Sequence, residues 1–176
     1  MTMIRATSLL ALLLAAACAP SRSEPAAVAP TRTASLVDST GKSIGSASLL
    51  PSSRGPLLVL RLAGVAPGTH GFHIHETARC DPPGFESAGP HLNPTRRQHG
   101  VRNPAGPHVG DLPNVRASAA GAIDTTLVLD GAVLGSGALG AGAPGRALVL
   151  HARADDLLTD PSGNAGARIA CGVLTQ

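Results

Sequence analysis

The sequence predicts an all-β domain, a sandwich or Greek-key barrel of short antiparallel strands. Composition is the first reason: 21 Gly and 15 Pro make up about a fifth of the 176 residues, which disfavours long helices. Spacing is the second: four short apolar runs separated by turn signals fall within about 45 residues from Ala34. The core these strands share is aliphatic, since the 43% of apolar residues include two Phe and no Trp or Tyr. A chain of 176 residues accommodates one domain of ordinary size.

The fold does not begin at Met1. Met1 to Arg5 is short and positive, Leu9 to Leu14 is apolar but too short to span a bilayer, and Ala15-Ala16-Ala17-Cys18 follows. Residues 1–17 look like a bacterial lipoprotein signal, with cleavage before Cys18 and lipid on its thiol. Ala15 also fits ordinary signal cleavage nearby. Either reading takes the mature chain out of the cytoplasm, to the periplasm or cell envelope, where disulfides persist. Residues 18–32 are Ala-, Pro- and Ser-rich and read as a flexible tether to a domain spanning 33–176. With Cys18 lipidated, Cys80 and Cys171 remain as an even pair. Bridged, they close a loop of about 90 residues, worth roughly 4 kcal/mol in the chain-entropy model.

Ala34–Asp38 and Ser43–Leu50 form the first hairpin, joined through Ser39-Thr40-Gly41-Lys42. Pro51 to Gly55 is the next turn and Pro56–Ala63 the third strand. Gly64 to Gly68 is a tight turn into a fourth strand around His73. From Thr77 to Asn114 apolar periodicity almost vanishes, and Pro82, Pro83, Pro90, Pro94, Pro104, Pro107 and Pro113 crowd the stretch. A loop this long is functional or disordered, and bound metal with a bridge at Cys80 would order it. Val115–Ala119 and Ala122–Leu129 read as a second hairpin around Ala120-Gly121. Gly131 to Gly145 is a Gly- and Ala-rich connector. Its Gly135 to Gly140 run matches a dinucleotide fingerprint in letters only, since no helix follows and no βαβ unit surrounds it. Ala147–Ala152 is an apolar strand presenting His151. A polar loop, Arg153 to Ala165, leads to the last strand, Ala167–Leu174.

The chemistry gathers on Gly71-Phe72-His73-Ile74-His75-Glu76. Strand alternation puts His73 and His75 on one face and Phe72 and Ile74 on the other. Imidazoles about 7 Å apart can share one metal ion if other ligands join them. A single His-x-His also fits two surface histidines, but His91, His99, His108, Asp111 and His151 follow, so six of the 7 histidines fit a ligand list. His/Asp tetrahedral sites suit zinc, and all-imidazole sites suit Cu(II). His70, on the Phe72 side by alternation, is expected to be a buried hydrogen-bonding residue. The net charge of +3, without a basic run or stacking aromatics, does not suggest nucleic acid.

Four stretches then occur in order: Gly71-Phe72-His73-Ile74-His75-Glu76, Gly89-Pro90-His91-Leu92-Asn93-Pro94, His108-Val109-Gly110-Asp111-Leu112, and Gly163 to Val173, which reads Gly-Asn-Ala-Gly-Ala-Arg-Ile-Ala-Cys-Gly-Val. Together they resemble the copper/zinc superoxide dismutases over residues 34 to 174. The resemblance implies an eight-stranded antiparallel Greek-key β-barrel or sandwich, immunoglobulin-like, with long metal-binding and substrate-guiding loops. It implies an enzyme converting superoxide anion to oxygen and hydrogen peroxide. Copper falls to His73, His75, His91 and His151, and zinc to His91, His99, His108 and Asp111. His91 then bridges the two ions as an imidazolate and takes part in proton transfer. Asp155 matches the carboxylate linking a copper histidine to a zinc histidine, Arg168 the cation that attracts substrate, and Cys80 and Cys171 the family disulfide.

Elementary chemistry agrees with those roles. Disproportionating a small anion needs a redox metal and a nearby permanent cation, whereas zinc cannot change oxidation state and only shapes the site. A non-catalytic copper/zinc-binding domain is the rival reading, favoured by loss of a copper ligand or of Arg168; all are present. A purely structural surface lipoprotein leaves the ligand set unexplained. The insertion Asp81 to Ser87 looks like that of secreted bacterial members, whose dimers pair through this region, so any homodimer need not use the eukaryotic interface. The loop from Arg153 to Ala165 is shorter and less charged than in eukaryotic members.

Overall fold

The computed structural model describes residues 29, 31–129, 139 and 144–175. The signal, Cys18, nearly all of the tether and the glycines of the Gly135–Gly140 run lie outside the described residues. Among the described residues there are nine strand segments: β1 Arg32–Asp38, β2 Ser43–Leu50, β3 Leu57–Leu62, β4 Gly68–His70, β5 Phe72–His75, β6 Val115–Ala117, β7 Ile123–Val128, β8 Arg146–His151 and β9 Arg168–Leu174. One 3₁₀ turn, Glu86–Ala88, stands in the long loop. Every ladder is antiparallel, in a sheet ordered β5-β8-β9-β1-β2-β3-β7 and a β4-β6 pair. Only Gly71 separates β4 from β5, so these segments form eight runs, in keeping with the expected Greek-key class.

Two local expectations are corrected. The turn ending at Gly68 leads first into β4, not directly into the His73 strand. At Gly71 the chain leaves its β6 partner for β8: the Gly71 N–H donates to Arg153 O (2.8 Å) and Gly71 O accepts the His151 N–H (2.9 Å). The second hairpin keeps its turn, with Ser118 N–H on Ala122 O at 2.9 Å, but its arms part. β6 pairs with β4 and β7 with β3, so the turn links two sheet edges. A turn signal specifies a reversal locally; strand pairing is settled by distant partners.

Burial explains where the strands go. Alternate residues such as Leu36, Leu58, Leu60, Phe72, Ile74 and Leu150 are fully buried in one aliphatic core. β8 is covered on both faces, with Leu148 and Leu150 in that core and Ala147 and Val149 in a second cluster with Phe85, Ala88 and Cys171. A strand buried on both sides reads as an unbroken apolar run, which is how residues 147–150 appear. Phe85 is fully buried although its surroundings lack periodicity. It and the Cys80–Cys171 disulfide, 91 residues apart in sequence, fasten the long loop to β9.

The loop closed by that disulfide is long enough for its loss to matter. Replacing Cys80 and Cys171 together by Ser is expected to lower stability by about 2–4 kcal/mol. Urea unfolding of the two metal-free proteins measures this, and equal midpoints would contradict it.

Candidate metal centre

β5 presents His73 and His75 with ring centroids 6.5 Å apart. The neighbouring end of β8 brings His151 to within 4.9 Å of His73. Two loop segments lie along β5: Leu92 N–H donates to Ile74 O at 2.8 Å, and Ile74 N–H donates to Gly110 O at 2.9 Å. They set His91 beside His75 and Asp111 beside His73. One nitrogen from each of His73, His75, His91 and His151 then lies within 4.8 Å of the others.

These four nitrogens are Nδ1 of His73 and Nε2 of His75, His91 and His151, all buried and without a hydrogen-bond partner. The other nitrogen of each ring is engaged. His73 Nε2 meets Asp155 Oδ2 at 2.8 Å, His75 Nδ1 donates to Gly89 O at 2.8 Å, and His151 Nδ1 donates to Gly166 O at 3.0 Å. His91 Nδ1 lies 2.9 Å from Asp111 Oδ1. A proton on each engaged nitrogen leaves a lone pair aimed inward, except that His91 faces a donor set on both sides. Burial lowers the pKa of all four rings, to about 4 in His91 and His151, where contacts with Asp111 and Gly166 oppose it. The lone pairs are therefore free at neutral pH. Converging buried acceptors with nothing to accept fit a cation, and imidazole donors fit copper.

The second set shares His91. Its Nδ1, with Nδ1 of His99 and His108, surrounds Asp111 Oδ1 at 2.9, 3.0 and 3.1 Å. The three ring centroids stand 5.2 to 5.5 Å apart, nearly equilateral. His99 Nδ1 makes no hydrogen bond despite its distance, because it is not aligned with the carboxylate. Asp111 Oδ2 accepts the N–H groups of Gly100 (2.8 Å) and His108 (3.0 Å). Burial raises the pKa of Asp111, but hydrogen bonds from His91 and Gly100 and the close approach of the His99 ring outweigh it and hold the carboxyl well below its usual range. For His99, burial is outweighed by Asp111 and Asp155, which raise it to about 9. Three imidazoles and a carboxylate around one point are a donor set suited to zinc.

Asp155 joins the sets. Its carboxylate lies 2.8 Å from His73 Nε2 and 3.0 Å from His99 Nε2, buried with both. Two residues to which the sequence reading gave no role support it. The side-chain amide of Asn114 donates from Nδ2 to Asp155 O and accepts the Asp155 N–H at Oδ1, both at 2.8 Å. Gly163, at φ +63°, leaves room that a Cβ would fill 1.7 Å from Asp155 Oδ1. Its place in a Ser-Gly-Asn turn was the available signal. Arg168 donates to Phe85 O (2.7 Å) and to Gly89 O (2.8 Å), the carbonyl that also holds His75. Its charge further depresses His75 and His151. His70 is buried, its ring nitrogens 2.8 Å from the carbonyls of His151 and Ala66.

An antiparallel Greek-key fold carrying two adjoining metal-type pockets that share one histidine defines a class of binuclear β-barrel proteins. The chain belongs to the copper/zinc superoxide dismutase family: residues 44–174 match the family model described as copper/zinc superoxide dismutase (SODC). It is 41% identical over 144 residues to superoxide dismutase [Cu-Zn] 1 of Aquifex aeolicus, covering 80% of this chain and 85% of the relative. It is also 41% identical over 143 residues to superoxide dismutase-like protein YojM of Bacillus subtilis, covering 79% and 73%. The crystal structure of a SOD-like protein from Bacillus subtilis superposes with a TM-score of 0.75 at 38% identity, covering 84% of this chain and all of that one. Cu/Zn superoxide dismutase from Brucella abortus gives 0.64 at 28% identity, covering 81% and 98%.

The shifted histidines make the metal-free protein sensitive to pH in both directions. His91 and His151 titrate near 4 when folded and near 6.5 when unfolded, so the unfolded chain binds protons first and stability falls as pH drops below 6.5. His99, raised to about 9, contributes stability that is complete below 6.5 and lost as pH rises through 9. The stability of the metal-free protein from urea unfolding should therefore peak near pH 6.5 and fall more steeply on the acid side, by about 6 kcal/mol or more toward pH 4, since His75 is lowered as well. A flat profile between pH 4.5 and 9 would count against these assignments.

Proposed function

We propose that the protein is a superoxide dismutase of the cell envelope, with copper held by His73, His75, His91 and His151 and zinc by His91, His99, His108 and Asp111. The carrying observation is the set of four unpartnered imidazole nitrogens directed at one point beside Arg168. Bound there, copper supplies one-electron chemistry between Cu(II) and Cu(I), so that two superoxide anions and two protons give oxygen and hydrogen peroxide. Arg168, held by two carbonyls, offers a fixed positive charge that draws the anion in and orients it. His91 Nε2 is the atom placed to take up a proton and return it to the product, while its Nδ1 stays with the second set. Asp155 holds one ring of each set against rotation. A non-catalytic metal-binding role gains no support, because no member of the copper set and no part of the Arg168 anchorage is missing.

Arg168→Glu reverses the charge without removing a proposed ligand. At an effective dielectric of about 20 and a few ångströms such a reversal is worth a few kcal/mol, so turnover should fall at least about tenfold. Part of the loss should weaken as ionic strength rises. Pulse radiolysis of superoxide decay at several salt concentrations, with metal content checked, decides it. A metallated parent without activity sinks the enzyme reading; a metallated variant as fast as an active parent sinks only the role of Arg168.

The location rests on the residues before the domain. The apolar run ending at Cys18 supports export and a lipid anchor on that thiol, and the insertion Asp81 to Ser87 supports a bacterial mode of pairing in any homodimer. Mass analysis of protein from a membrane fraction should find Cys18 as an acylated N-terminus. A soluble product beginning elsewhere would contradict the anchor.

A further inference from the structure

The loop after β8 meets the loop that carries His99 along a short seam. Arg102 N–H donates to Leu157 O at 2.8 Å, and Asn103 Nδ2 donates to Leu158 O at 3.2 Å. Gly100, at φ +96°, allows the approach, since a Cβ there would stand 2.2 Å from Leu157 O. Asp156 closes its own loop by accepting from the N–H groups of Leu158 (2.9 Å) and Thr159 (2.8 Å) and from Asn164 Nδ2 (2.9 Å). That closure fixes where Asp160 points. Asp160 Oδ1 accepts the His99 N–H at 2.6 Å and lies 3.7 Å from His108 Nε2.

We infer that Asp160 is a positioning residue for the zinc-side pocket, acting on His99 through its backbone and on His108 through its ring. This rests on the reading of that pocket as the zinc position of a dismutase. His99 and Gly100 carry successive N–H groups held by two carboxylates, Asp160 and Asp111, which fixes the backbone from which the His99 ring projects. His108 turns Nδ1 toward the pocket, so when Nδ1 gives its lone pair to a cation the proton must stand on Nε2. At 3.7 Å the carboxylate is beyond hydrogen-bond range, but its negative charge favours that proton and makes the imidazole a stronger donor. The side chain of Asp160 is 48% exposed, so it works from the rim of a pocket whose other carboxylates are buried.

Asp160→Asn keeps an acceptor for the His99 N–H and removes the charge facing His108, whereas Asp160→Ala removes both. The measurement is zinc release from the copper- and zinc-loaded protein to a coloured chelator, with the absorption bands of Co(II) exchanged into the same position. Release should quicken about tenfold in Asp160→Asn and about a hundredfold in Asp160→Ala, with shifted Co(II) bands and unchanged copper content. The metal-free Asp160→Asn protein should melt like the parent, which a merely structural role does not predict for a variant that loses zinc. If Asp160→Ala fails to fold, Asp160→Asn decides alone. Asp160→Asn releasing zinc at the parent rate overturns the inference and leaves the dismutase reading intact; a parent that retains no zinc overturns both.

Discussion

The domain is built around one costly constraint: several imidazole lone pairs must stay buried, uncharged and unpaired. His73 Nδ1, His75 Nε2, His91 Nε2 and His151 Nε2 are all in that condition. Until a cation takes these lone pairs, each costs about 1–3 kcal/mol, so together they approach the net stability of an ordinary domain. Such an arrangement persists only when the surrounding fold is over-determined. The doubly buried β8, the aliphatic core behind β5 and the disulfide from loop to β9 provide that excess.

Backbone carbonyls do much of the positioning. Gly89 O accepts from both His75 and Arg168, so one peptide group sets the spacing between a ring of the first pocket and the guanidinium beside it. Gly166 O orients His151, and His151 O in turn receives the buried His70 ring. These contacts make the two loops mechanically part of the strands they cross. A change in either loop acts on the site without touching a ligand.

Much of this was readable from the chain, because the decisive signals are local. The alternation through Phe72, His73, Ile74 and His75 carries its own geometry, and the ordered motifs hold His73, His75, His91, His108 and Asp111, which the fold gathers with His99 and His151. What escaped depends on distance or on atoms common to every residue. Gly71 ends one ladder and begins another, and the arms of the turn at Gly121 find separate partners, because pairing is a property of remote strands. Phe85 is an isolated aromatic in a proline-rich loop, so no periodicity marks its burial. The carbonyls of Gly89 and Gly166 have no side-chain signature, and Asp160 looks like any loop aspartate until the His99 N–H is seen against it.

The two pockets differ in charge as well as in donor type, and this divides their labour. The set around His75 and His151 consists of neutral imidazoles, so a cation held there keeps its full charge toward an approaching anion, reinforced by Arg168. The set around His99 and His108 includes Asp111, whose negative charge is held firmly by hydrogen bonds and offsets part of a dication. One pocket therefore leaves a bound cation its full charge, and the other neutralises part of it. His91 belongs to both, and Asp155 ties a ring of one to a ring of the other, so neither pocket can change shape alone. A proton arriving at His91 Nε2 meets a ring whose orientation is already fixed from its other side.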